Sequence, residues 1–229
     1  MTLNLSHFDA AIVDLDGTMV DTLGDFVVSL HGMLDDLGLP RVDPARVRNF
    51  VGKGSEHLIL SVLAQVLPPS DPRTPAILFD EAWQHYQRHY LEVNGRHADV
   101  YPGVAEGLAA LRAGGLRLAC LTNKPTAFAL PLLAGKGLAV HFAHVFGGDA
   151  FATKKPDPLP LLKTCEALGT SPARTLVIGD SSNDAKAARA AGCPVLLVNY
   201  GYNHGEPVRS AKADGYLDSM AELGAQFSP

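Results

Sequence analysis

The apolar positions of the chain follow different periods in different stretches. Phe8 to Val13 is a short apolar run, too brief for a helix and rich enough in Ile and Val for a buried strand; it stops at Asp14. From Asp21 to about Val93 the spacing is helical. Leu23, Phe26, Val27, Leu30, Leu34 and Leu37 share one face, Asp21 or Thr22 is placed to cap its start, and Gly38 with Pro40 ends it. Asp43-Pro44 opens a short helix. Leu58, Ile59, Val62, Leu63 and Val66 mark the next, and a last helix runs from Pro75 to about Val93. Its aromatic residues Phe79, Trp83, Tyr86 and Tyr90 fall largely on one side, a stripe read as packing rather than as a cofactor site.

After Tyr101-Pro102-Gly103, helix and strand alternate. Helices are predicted from Val104 to about Ala113, after Pro125, over Leu159–Leu168 and over Ala185–Ala191. Strands are predicted over Leu116–Leu121, His144–Phe146, Thr175–Ile178 and Val195–Val198. This pattern predicts an α/β fold: a Rossmann-like, doubly wound parallel sheet with helices on both faces, interrupted after its first strand by an inserted helical cap. The expected division is residues 1–20 and 95–229 for the α/β core and 21–94 for the cap.

Composition narrows the function. The 229 residues are 47% hydrophobic and 19% charged, ordinary for a globular protein, and the net charge of −5 offers no basic field for nucleic acid or an anionic membrane. Cys120, Cys165 and Cys193 match no zinc spacing. No basic stretch followed by an apolar run marks a secretory signal, and no apolar run is long enough to span a membrane, so the cytoplasm is the expected compartment.

Polar clusters follow four of the strands or stand in the adjoining loops: Asp14 and Asp16, Thr122 and Asn123, Lys155, and Asp180 with Asp184. Each has an ordinary explanation. Asp14-Leu15-Asp16-Gly17 can be a turn that caps the next helix, Thr122 a cap, Lys155 a solvated lysine, and Asp180 and Asp184 turn and helix-start charges. An EF-hand is excluded, because Thr18 and Met19 stand where that loop needs an acid or amide and then glycine. In a parallel sheet, however, the strands bring their carboxyl ends to one edge, where ligands bind. Together these groups suit phosphoryl transfer. One carboxylate attacks phosphorus, a second moves the proton, and a hard divalent cation offsets the repulsion among acids and phosphoryl oxygens. Asp180 can complete the metal site, and Asp184 can bind the metal directly or through a neighbouring group.

A further loop, Val51-Gly52-Lys53-Gly54-Ser55, precedes an apolar helix. It is no P-loop: the early glycine is absent and Gly54 stands where Ser or Thr must follow the lysine. Its glycines allow a close approach to the core, with Lys53 or nearby N–H groups meeting a small anionic group. The other reading is an ordinary inter-helix loop with a solvated lysine.

The constellation resembles the haloacid dehalogenase superfamily. The first motif of that family, Asp-x-Asp-x-Thr, is Asp14-Leu15-Asp16-Gly17-Thr18; the second is Thr122; the third is Lys155-Pro156; the fourth is Gly179 to Asp184. The inserted helical block is similar to the small cap of the phosphoglycolate phosphatase and β-phosphoglucomutase branch. Tyr101-Pro102-Gly103-Val104, Gly147-Gly148-Asp149, Lys155-Pro156-Asp157-Pro158, Ala191-Gly192-Cys193-Pro194 and Asn199-Tyr200-Gly201-Tyr202-Asn203 resemble bacterial phosphoglycolate phosphatases. The resemblance implies a phosphatase with Asp14 as nucleophile, Asp16 as general acid/base, and Mg²⁺ held by Asp14, the Asp16 main-chain carbonyl and Asp180. It implies that Thr122, Asn123 and Lys155 bind phosphate, with Lys154 as the competing lysine. Lys53 and Gly54 are the expected cap contacts to the substrate. The expected substrate is a small phosphate ester, first of all 2-phosphoglycolate, acted on by a monomer or homodimer. The alternatives are a phosphosugar phosphatase, a β-phosphoglucomutase-like mutase and, from a different class, a receiver-type signalling domain, which needs neither Asp16 as acid/base nor a long helical insert.

Overall fold

The computed structural model describes residues 4–227; positions 1–3 and 228–229 of the expected core lie outside the described residues. In chain order the strands are β1 (Ala10–Val13), β2 (Val20–Asp21), β3 (Asp99–Val100), β4 (Arg117–Leu121), β5 (His144–Phe146), β6 (Thr175–Gly179), β7 (Val195–Val198) and β8 (Gly215–Leu217). The helices are α1 (Leu23–Asp36), α2 (Pro44–Val47), α3 (Ser55–Val66), α4 (Pro75–Val93), α5 (Val104–Ala113), α6 (Thr126–Gly135), α7 (Leu159–Leu168) and α8 (Ser182–Ala191).

Six strands make one sheet in the order β5-β4-β1-β6-β7-β8, parallel throughout. All four residues of β1 are buried, yet they serve two cores. Ala11 and Val13 pack with Leu118, Cys120 and Ile178 beneath α5 and α6; Ala10 and Ile12 pack on the other face with Ala119 and Leu121 beneath α7 and α8. A central parallel strand covered on both faces reads as a continuous apolar run, which is why no alternation shows in the sequence.

The order also fixes where ligands can bind. After β1 the chain builds outward through β4 and β5 on one side, then through β6, β7 and β8 on the other, so β1 lies at the switch point. Val13 pairs with both Cys120 and Ile178. Asp14, Thr122 and Asp180 therefore leave the sheet side by side at its carboxyl edge.

A third core lies in the inserted block. Phe26, Leu30 and Leu34 of α1, Leu58, Ile59 and Val62 of α3, and Leu78, Ala82, Tyr86 and Tyr90 of α4 enclose it, joined by Phe128 and Tyr202 from outside the block. The aromatic stripe of α4 divides: Tyr86 and Tyr90 are fully buried, while Phe79 and Trp83 are half-buried. The two chain passages joining block and sheet pair as β2 and β3, antiparallel, and buried Asp25 accepts the Gly95 and His97 N–H groups at 2.6 and 2.8 Å.

Several features differ from the sequence expectation. β2, β3 and β8 are two or three residues long, too short for a period to register. Thr22 stands at the N-cap of α1 but makes no capping bond; its hydroxyl donates to Asp16 Oδ1 at 2.8 Å. Helix α8 starts at Ser182 rather than Ala185, because the Asp184 carboxylate reaches back to accept the Ser181 N–H and hydroxyl. Among the described residues no helix is long and apolar enough to cross a membrane.

Candidate active site

The turn after β1 is set by Gly17. Its φ of +82° suits glycine, and a Cβ there would overlap the Asp180 carboxylate. Asp14, whose N–H donates to the Ile178 carbonyl, is thereby held against Asp180, Asp184 and Lys155. Lys155 Nζ donates to Asp184 Oδ1 at 2.7 Å and to the Leu121 carbonyl at 2.9 Å. It also lies 3.0 Å from Asp14 Oδ1, but without hydrogen-bond geometry, so that buried oxygen has no hydrogen-bond partner.

The charges sort themselves by environment. Burial pushes the Asp14 carboxyl up to about 7, more than the neighbouring Lys155 ammonium pulls it down, and Asp184 adds to the rise. From its usual value of 3.8, this is about 4 kcal/mol set against the carboxylate. Burial, then repulsion from Asp184 and Asp14, raises Asp180 well above the usual carboxylate range. Asp184 is equally buried, yet Lys155 and Ser181 hold it below that range. Burial alone would lower Lys155; the Asp14 and Asp184 carboxylates instead raise it above its ordinary value.

One oxygen each from Asp14, Asp180 and Asp184 lies within 4.8 Å of the others. An all-oxygen donor set suits a hard cation such as Mg²⁺, and the unpartnered Asp14 oxygen and the mutual repulsion of these acids are what such an ion would relieve. Asp184 is already bonded through both oxygens, to Lys155 and to Ser181, whereas Asp180 Oδ2 accepts one N–H, from Tyr202, at 2.6 Å. Asp14 and Asp180 are therefore the freer ligands.

Asp16 faces the other way. Its Oδ1 accepts from Thr22 and from Lys124 Nζ at 2.9 Å, and Oδ2 lies 3.2 Å from the same ammonium. Lys124 is 3% exposed, with Nζ 4.4 Å from the Phe26 ring centre and 4.7 Å from that of Tyr90. Thr122 is buried at the edge and accepts the Lys124 N–H. Asn123, expected as a phosphate ligand, is placed as a clamp: Oδ1 accepts the Lys155 N–H, and Nδ2 donates to the Lys155 and Gly52 carbonyls.

The cap loop closes over these groups. Its Gly52 carbonyl accepts from Asn123 Nδ2 at 3.0 Å and Asn183 Nδ2 at 3.1 Å, while Arg48 donates to the Tyr200 and Gly201 carbonyls. A cavity of about 20 Å³ remains, lined by Asp14, Asp16, Thr122 and Lys124 below and by Phe26, Val51, Gly54 and Leu58 above. That is room for about one water, so an ester can enter only when the cap moves away. Gly54 lines the cavity as expected for a cap contact. Lys53 does not: it is exposed and stands outside that lining, where the cation is Lys124. Lys154 is also exposed, leaving Lys155 as the buried lysine beside Asp14.

Lys124, Asn183 and Tyr202 were not singled out from the sequence. Lys124 is the third residue of Thr122-Asn123-Lys124 and Asn183 stands inside the Gly179–Asp184 string, so position was a usable signal for both. Tyr202 stands in the stretch Asn199-Tyr200-Gly201-Tyr202-Asn203, but its part shows only in the fold: its hydroxyl donates to Asp21 and accepts the Thr22 and Leu23 N–H groups.

A family model described as haloacid dehalogenase-like hydrolase matches residues 11–198. The phosphoglycolate phosphatase of Thiobacillus denitrificans is 43% identical over 213 residues, covering 93% of this chain and 92% of that protein. The plasmid phosphoglycolate phosphatase of Cupriavidus necator is 44% identical over 222 residues, covering 96% and 93%. The crystal structure of a predicted phosphoglycolate phosphatase from Haemophilus somnus superposes with a TM-score of 0.90 at 33% identity, covering 95% of this chain and 96% of that one.

Proposed function

The chain belongs to the haloacid dehalogenase-like hydrolase family and is a phosphatase; from that premise we propose that it hydrolyses 2-phosphoglycolate to glycolate and phosphate through an aspartyl phosphate on Asp14, with Mg²⁺ as its cofactor. The observation that carries this reading is the buried Asp14 oxygen without a hydrogen-bond partner, set at the sheet edge between Lys155 and the Asp180 carboxylate. The choice of substrate rests on the phosphoglycolate phosphatases that the chain resembles along nearly its whole length.

Each residue then has a part. Lys155 and Thr122 hold the phosphoryl oxygens while Asp14 attacks phosphorus and the bond to the glycolate oxygen breaks. In its acid form Asp16 gives its proton to that leaving oxygen, becoming the carboxylate. It then takes a proton from the water that attacks the aspartyl phosphate, and Asp14 leaves as the free carboxylate. Asn123 holds Lys155 in place through its backbone. Asp14, the Asp16 main-chain carbonyl and Asp180 would hold the metal, with Asp184 fixing Lys155 and the start of α8. Bound there, Mg²⁺ would offset the repulsion between these carboxylates and the phosphoryl oxygens. The cap, residues 21–94, opens to admit substrate and closes to exclude bulk water.

The test is phosphate release by metal-depleted protein from 2-phosphoglycolate and a panel of phosphosugars, with and without added Mg²⁺. Metal-dependent release with the highest kcat/KM on 2-phosphoglycolate is expected. Full activity after exhaustive depletion, or a phosphosugar as the better substrate, would reject the corresponding part of the reading.

A further inference from the structure

Two lysine side chains are buried near the sheet edge, and only one is accounted for by the chemistry above. Lys155 is taken by Asp14 and Asp184. Lys124 is fully enclosed, bonded to Asp16, and turned toward the cap rather than toward the Asp180 side. An ammonium group has three N–H donors, and the Asp16 carboxylate occupies at most two of them.

The cap residues facing Lys124 are also under-used. Among the described residues the fully buried Tyr90 hydroxyl has no hydrogen-bond partner, and the equally buried Tyr86 hydroxyl has only Ser55, which lines the cavity, beside it. The Tyr90 ring is among those that Lys124 Nζ touches, and the Tyr86 and Tyr90 rings pack tilted at 31°, their centres 5.5 Å apart. Buried phenols so poorly partnered are costly to leave unsatisfied. Burial, and for both the nearby Asp16 carboxylate, keeps them protonated, so they remain donors. Around them Phe26, Leu58 and Val51 are apolar. The set offers donors and one cation in an apolar surround, which is the chemistry of a small anion site and a poor fit for a neutral group.

We infer that Lys124, Tyr86 and Tyr90 form the subsite for the non-phosphoryl end of the substrate, and that they select a carboxylate there. The inference rests on the reading of Asp14 as the point of phosphoryl transfer. It places the specificity of the cap in the α1/α4 wall and a core lysine, not in the exposed Lys53. With substrate bound under the cap, the two phenols and the ammonium would surround the carboxylate, while the phosphoryl group lies at Asp14 and Lys155.

The experiment compares kcat/KM for 2-phosphoglycolate and for ethyl phosphate, which is similar in size and lacks the carboxylate, in wild type, Tyr86→Phe, Tyr90→Phe and Lys124→Met. Each phenylalanine variant should lose about tenfold more on 2-phosphoglycolate than on ethyl phosphate, and Lys124→Met about a hundredfold more, as expected for hydrogen bonds to a charged group. Binding of glycolate alone, measured by calorimetry, should weaken in the same order. Should Lys124→Met fail to fold, the phenylalanine variants, which keep size and packing, decide the matter. Equal losses on the two esters, or an unchanged preference in all three variants, would overturn the subsite. An Asp14→Asn control separates this from the larger reading: if it still hydrolyses both esters, the assignment of Asp14 has failed, whatever the subsite variants do.

Discussion

The two walls of the cavity are built on opposite principles. The core wall carries the charge: Asp14, Asp16 and Lys124, and behind them Lys155, Asp180 and Asp184, are all buried. Asp14, Asp16, Lys124 and Asp180 stand at strand ends or in the turns after them, Lys155 in the loop beyond β5 and Asp184 in the first turn of α8. The cap wall is Phe26, Val51, Leu58 and glycine backbone, with its one nearby lysine pointing to solvent. A buried charge is tolerable only where rigid neighbours pair it, and the centre of a six-stranded sheet supplies that rigidity. A wall that must lift away cannot carry buried charges that would be stranded when it opens. The cap contributes shape, exclusion of water and uncharged donors, and is fastened by the Gly52 carbonyl, which Asn123 and Asn183 both reach.

The contrast is broken most severely at the core wall. Asp14→Asn should lower kcat by about 10⁴-fold or more on every ester, the scale seen when a nucleophile is removed from a set that acts together. Retained turnover, followed as phosphate release, would mean that another group attacks phosphorus. Lys155→Met, close in length but uncharged, should cost about 10²–10³-fold in kcat, as for loss of a charge-stabilising donor. A greater loss in Lys154→Met, measured side by side, would show that the exposed lysine does this work.

The raised Asp14 value gives a pH prediction of definite sign. Its folded value of about 7 lies above the usual 3.8, so the metal-free protein gains stability from the protonated acid below pH ~4 and loses it as pH rises toward 7. Mg²⁺ must displace that proton. Asp180, raised in the same direction, would release its proton as well, so the affinity should rise with pH by about tenfold per unit for each proton released. Calorimetric titration of metal-depleted protein from pH 5.5 to 8 checks this; an affinity independent of pH would place the raised acid outside the metal site.

At the cap the expected effects are smaller. Asn183→Ala removes one of the two bonds to the Gly52 carbonyl, worth about 1 kcal/mol, and should reduce kcat/KM about fivefold to tenfold. Faster hydrogen exchange over residues 52–55, with metal affinity unchanged, is the accompanying signature of a loosened fastening. A loss of metal affinity instead would assign Asn183 to the core wall.

The same contrast explains what could be read in the sequence. The core residues were legible because each follows a short apolar strand or stands in the adjoining loop, and parallel pairing then does the rest: the register of Val13 with Cys120 and Ile178, and of Leu121 with Phe146, turns four distant strings into one edge. The boundaries of α4, α5 and α7 were equally plain, since Pro75, Gly103 and Gly169 punctuate clear helical periods. The cap wall was not legible. Lys53, between two glycines, invites a functional reading yet stands exposed outside the cavity lining, and Tyr86 and Tyr90 read only as core. Their relation to Lys124 exists only once the block folds back over the sheet, and no local spacing encodes that docking. Asn123 was placed at the right edge, but its bonds to Lys155 and Gly52 join segments 32 and 71 residues away, which no local spacing shows.

The most direct test of the account is to trap the covalent intermediate. Protein mixed with 2-phosphoglycolate and Mg²⁺, quenched in acid within one turnover and reduced with borohydride, should yield homoserine in place of Asp14 by peptide mass spectrometry, with none formed in the Asp14→Asn variant. Rapid release of glycolate with no phosphoryl group on any carboxylate, or reduction found at Asp16, Asp180 or Asp184 instead, would contradict the assignment of the core wall as the seat of phosphoryl transfer through Asp14.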